Sequence, residues 1–172
     1  MIMEPTALAI AMAGLVPLLV YVMWSDMKTM RIPNMASLLI FLVFIPTGLM
    51  GLPIEVFGWR LLHTAIAFAI AFGLFQIAGG RVGGGDLKLV IALTPYVPGV
   101  YLGVILVTWS AVTLVSLAAF YGLRLALAGR ETGYVALERT PPPGHRFPYF
   151  PAGVSIGISF ILYFALALGG RI

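Results

Sequence analysis

Long apolar runs, broken by short loops and almost free of charge, set what this chain can fold into. In a bilayer no water is present to satisfy exposed backbone groups, so only helices or closed barrels can cross it. A crossing helix needs about 20 mostly apolar residues, and these runs are too long and continuous for barrel strands. Spans are expected over 6–24, 35–52, 60–78, 87–97, 99–122 and 150–168. The alternative, a soluble fold, conflicts with the composition. Hydrophobic residues make up 61% and charged residues 9% of the 172 positions, where a soluble domain carries roughly 25% charged. Such a chain in water would expose large apolar patches. The expected fold is therefore all-α: a polytopic bundle of about six transmembrane helices in one domain, 1–172. The fourth helix should be short or kinked, because Pro95 and Pro98 interrupt its backbone.

The basic residues lie singly between the apolar runs and read as topology. Six crossings put Lys28, Arg31, Arg81, Lys88, Arg124, Arg130, Arg139 and Arg146 on one side and Arg60 and Arg171 on the other. The side rich in Lys and Arg is the cytoplasmic one. Both termini and the Pro53–Gly58 turn then face outward, and the loops around Asp26, Asp86 and Pro141 face the cytoplasm. The net charge of +4 forms no patch or basic helix of the kind that binds nucleic acid. Cysteine is absent and only His63 and His145 are present, which argues against disulfides and against thiolate or histidine metal sites. Met1–Pro5 has an acid and no base, and no small-residue cleavage site follows the first run, so that run is expected to be a retained span. The connector Gly129–Pro148, with Pro141–Pro143, is the longest polar stretch and the expected mobile element.

Of the six acids, Glu4 and Glu55 fall in outer loops and Glu131 and Glu138 in the polar connector. The only two aspartates, Asp26 and Asp86, fall at span edges on the same side. Ionisable groups at such positions mark functional sites by default. Asp26 closes the first span, which should end before Pro33, a residue suited to the first turn of the second helix. Asp86 opens the fourth span directly after Gly83, Gly84 and Gly85, whose lack of side chains would let a substrate backbone approach the carboxylate. Facing carboxylates can share a proton, one acting as general base on a water while the other protonates the substrate carbonyl. Because helix N-termini favour a charged carboxylate and C-termini disfavour it, Asp86 is expected to be the ionised partner. Asp86 could instead be a plain helix cap, and Asp26 a solvated acid beside Lys28 or Arg31. Lys28 and Lys88 each follow an aspartate by two residues, about 200° away on a continuous helix. They suit either membrane anchoring or contact with substrate. The glycine run matches part of a phosphate-binding loop, but Asp86 stands where that loop needs lysine.

Asp26 and Lys28 with Arg31-Ile32-Pro33-Asn34, followed some sixty residues later by Gly83-Gly84-Gly85-Asp86-Leu87-Lys88, resemble the paired signature of the type IV prepilin peptidases, membrane aspartic proteases with a Gly-x-Gly-Asp motif. Phe147–Gly157 is similar to the family's late segment rich in proline, tyrosine and glycine, with Phe150-Pro151 in place of its simpler pattern. The resemblance implies that Asp26 and Asp86 are catalytic. It implies a cofactor-free endopeptidase that removes a short basic leader from a pilin-like precursor, at the cytoplasmic face of a bacterial inner membrane. Gly83, Gly84, Gly85, Lys28 and Lys88 would line its substrate site. Larger members carry a cysteine-bearing cytoplasmic domain and N-methylate the product. This cysteine-free chain looks like the minimal form associated with tight-adherence (Flp-type) pili, without methylation. A proton- or ion-coupled transporter subunit is the competing reading, though such proteins place their acids near mid-bilayer in broken helices. Oligomeric state is not legible.

Overall fold

A computed structural model describes residues 3–77, 83–138 and 150–170, and among them there is no strand. The helices are α1 (Pro5–Thr29), α2 (Asn34–Gly51), α3 (Ile54–Ile77), α4 (Gly84–Leu93), α5 (Leu102–Ala126), α6 (Val135–Glu138) and α7 (Ala152–Leu168). Single 3-10 turns at Thr94–Tyr96 and Gly99–Tyr101 join α4 to α5. The protein is an all-α, polytopic membrane protein. Among the described residues four helices are long and apolar enough to cross a bilayer: α1, α2, α3, and α5 with the 3-10 turn before it. With 17 residues α7 is apolar but shorter. With 10 residues α4 is the short element expected there, ended at Thr94-Pro95.

Helix ends differ from the sequence expectation where no breaker stops the chain. Nothing interrupts α1 after Trp24, so it runs to Thr29. There Met30 takes the left-handed conformation, φ 54°, and donates its N–H to the Asp26 carbonyl at 2.8 Å, a cap that usually falls to glycine. Pro33 precedes α2 as its cap instead of entering its first turn. The outer turn expected over Pro53–Gly58 shrinks to Leu52-Pro53, because Gly58 alone does not break a helix, and Glu55 becomes a residue of the first turn of α3. Of the connector, Val135–Glu138 is helical. Arg139, Pro141–Pro143, His145 and Phe147–Tyr149 lie outside the described residues, as do Arg81 and Arg171.

The core gathers on α1. Leu8, Ala11, Leu15, Leu19 and Val22, spaced three and four apart, form one buried stripe against Ile40 and Phe44 of α2, Leu89 and Leu93 of α4, and Ile156, Phe160 and Phe164 of α7. Lipid is as apolar as these side chains, so close packing, more than the hydrophobic effect, holds such helices together. Glycines mark the tight crossings: a Cβ on Gly157 would come within 2.7 Å of Met23 Cγ.

One end of the bundle is aromatic. Phe44 stacks on Phe57 at 5.4 Å, Tyr96 meets Phe44 edge-on at 5.2 Å and Phe164 at 5.7 Å, and the Tyr96 hydroxyl donates to the Ile40 carbonyl at 2.8 Å. Arg60, counted in the sequence only as one of two basic residues on the outer side, is buried here, 5% exposed. Its Nη1 donates to the Pro95 carbonyl at 3.4 Å, one of the acceptors freed where α4 breaks. Arg60→Met is expected to lower thermal stability in detergent by about 1–3 kcal/mol, the cost of a buried polar group left without a partner. An unchanged melting temperature would show that the guanidinium does not hold this break.

Candidate functional site: two aspartates on one cavity

At the other end the helices part around a cavity of about 600 Å³ whose walls include Asp26, Asp86, Gly83, Gly84, Gly85, Lys88, Arg31 and Asn34. The two aspartates, sixty residues apart, thus open on one space, and Asp86 lies close enough to Asp26 to act on it electrostatically. Asp26 is in the last turn of α1 and 5% exposed. Asp86 is in the first turn of α4, and no side chain caps that helix. The plain-cap reading of Asp86 therefore has no support in its geometry.

Local structure explains how the carboxylates are held. Ser25 Oγ donates to the Arg31 carbonyl at 2.9 Å and Thr29 Oγ1 to the Ser25 carbonyl at 2.8 Å. With the Met30 cap, these bonds fold 30–33 back beneath α1. The turn drives Ile32 between two helices: a Cβ on Gly85 of α4 would lie 3.3 Å from Ile32 Cβ, and one on Gly153 of α7 would lie 3.1 Å from Ile32 Cδ1. Gly84 faces the Phe75 ring, where a Cβ would come within 3.3 Å, and a Cβ on Gly83 would overlap the Asp86 carboxylate. The glycine triplet thus lines the cavity and also lets α4 close onto the protein's own groups.

The sequence reading missed Gly153. Its backbone N–H donates to Asp26 Oδ2 at 2.8 Å, joining residues 127 apart. Pro151 and Ala152 begin α7 here, so Asp26 receives a donor from the positive end of that helix. Asp26 keeps its place at the C-terminal end of α1 and in addition faces the N-terminus of α7, while Asp86 lies at the N-terminus of α4.

The lysines separate. Lys88 lines the cavity and its Nζ donates to Asn34 Oδ1 at 3.0 Å, linking the start of α4 to the start of α2. Lys28 is exposed and outside the cavity wall, its ammonium 4.8 Å over the Trp24 ring. The structure thus brings Lys88, and not Lys28, to the wall of the aspartate cavity.

Fold and site together define a helical membrane protein with a pair of aspartates on a shared cavity at one end of its bundle. The chain belongs to the type IV leader peptidase family, whose model matches residues 13–127. It is similar to a prepilin leader peptidase/N-methyltransferase of Bacillus subtilis (strain 168), 32% identical over 148 residues, 86% of this chain and 53% of the relative. The chain spans about half the length of that curated relative. No solved structure matches it.

Proposed function

We propose that this protein is a membrane aspartic endopeptidase that removes the short basic leader of a pilin-like precursor at the cytoplasmic face of the inner membrane. The observation that supports this most is that the chain's only two aspartates, in its two motif-like segments, line one cavity. In the proposed reaction one carboxylate takes a proton from a water, which attacks the carbonyl carbon of the scissile peptide, while the protonated partner gives its proton to the carbonyl oxygen. Collapse of the tetrahedral intermediate breaks the C–N bond, and the leaving amine takes up a proton. Gly153 N–H and the α4 N-terminus orient the two carboxylates. Gly83, Gly84, Gly85 and Lys88 form the wall against which the substrate lies. No cofactor enters the scheme.

The substrate class read from the resemblance is that of Flp-type pilin precursors. Co-expression with a precursor built of a basic leader, a glycine and an apolar segment is expected to yield the shortened product. A precursor that stays full length beside a folded, membrane-inserted chain would overturn the reading. The cytoplasmic placement rests on the eight-to-two distribution of basic residues. A reporter fused after Gly133 is expected to behave as cytoplasmic, and a periplasmic signal there would reverse the orientation.

A further inference from the structure

α3 is buried in the bundle at one end only, and its second half meets α4 through the Phe75 ring at Gly84. Its buried residues, Phe57, Arg60 and Thr64, all lie in its first half, and none from Ala65 to Ile77 is buried. Between this second half and α4 runs an apolar groove of about 240 Å³. Phe68, Phe72 and Phe75 form one wall and Leu87 and Ile91 the other. The phenylalanines, spaced four and three apart, share a face of α3, and Phe68 stacks on Phe72 with centroids 6.2 Å apart.

Apolar side chains facing lipid are ordinary in a bilayer, so exposure alone says nothing about this groove. Its continuity does. Gly84 and Lys88 line both the groove and the aspartate cavity, so the two spaces share a wall at the start of α4, where the Phe75 ring faces Gly84. Of two other apolar grooves, the one between α1 and α5 shares no residue with the aspartate cavity, and the one between α5 and α7 shares only Phe150, whose ring is packed edge-on against Phe120 at 5.9 Å. The groove beside α3 shares two residues with the cavity, Gly84 and Lys88.

We propose that the groove between α3 and α4 seats the apolar segment of the substrate, which enters sideways from the bilayer and carries the bond on its leader side to Asp26 and Asp86. This assignment rests on the leader-peptidase reading given above. It follows the general mode in which an apolar helix lays one face into a groove, with the three phenylalanines taking side chains from successive turns.

The absence of cysteine makes the test direct. Phe72→Cys is placed in a chain inactivated by Asp86→Asn, a single cysteine is placed in the apolar segment of the precursor, and the two are oxidised together in membranes. A disulfide between chain and precursor is expected from Phe72→Cys, and none from Val115→Cys on the outward face of α5, 70% exposed. Capture at both positions, or capture of a second copy of the chain at Phe72→Cys, would overturn the assignment. In the active chain, Phe72→Ala is expected to raise the precursor level needed for half-maximal cleavage about threefold at unchanged maximal rate, the loss of close packing at one contact. Leu114→Ala on α5 should leave both unchanged. If the unmodified chain does not shorten the precursor, the leader-peptidase reading fails first. If it does, and Phe72→Cys captures nothing, only the groove assignment falls.

Discussion

Asp26→Asn and Asp86→Asn are each expected to reduce leader removal by about a thousandfold or more, the scale of a positioned acid or base. The substitutions keep shape and remove only the exchangeable proton and the charge. At position 26 the amide oxygen can still accept the Gly153 N–H that the carboxylate accepts at 2.8 Å, so the contact between α1 and α7 survives. At position 86 no capping bond is lost, because the side chain makes none. Stability should change little while activity disappears, and this separates a chemical role from a structural one. Groups that act as a unit are also non-additive, so the double variant is expected to be no slower than the slower single one. The measurement is precursor processing beside melting temperature in detergent. Processing that persists in either single variant would remove the aspartate pair from the mechanism.

Gly153→Ala is expected to cost about a hundredfold in processing rate, the effect of a displacement near 1 Å at a reacting group. The added methyl would stand 2.9 Å from Asp26 Oδ2 and 3.1 Å from Ile32 Cδ1, so α7, the carboxylate or the turn must shift. The same substitution at Gly122 or Gly103 of α5 meets nothing within 4 Å and serves as control. If the rate falls through misplacement, the precursor should still be captured in the membrane at wild-type levels. Wild-type rates in Gly153→Ala would show that the close approach of α7 does not orient Asp26.

The Gly153 bond also shows where sequence reasoning stops. Four long spans of the six expected, the edge positions of Asp26 and Asp86 and the short fourth helix were legible, because apolar length, proline and isolated acids leave signatures in the residues themselves. A backbone N–H leaves none. Gly153 contributes no side chain and bonds a residue 127 positions away; it also lies beyond the stretch matched by the family model. Only the glycine-bearing character of Phe147–Gly157 pointed toward it, without indicating a role. The burial of Arg60 was hidden for a related reason. A lone cation near a span end suggests an anchor, and only the tertiary fold shows that the Pro95 carbonyl meets it inside the bundle. Lys28 and Lys88 occupy equivalent places in sequence, yet the helix faces send one to Trp24 and the other to Asn34.

Ile32 has a mechanical meaning. It is wedged between glycines of two helices that are remote in the chain, Gly85 and Gly153, and each of those helices presents its N-terminus to one of the two aspartates. The side chain is a common bearing for α4 and α7, with no slack on either side. One isoleucine thus fixes the spacing of the two helices that support the carboxylates.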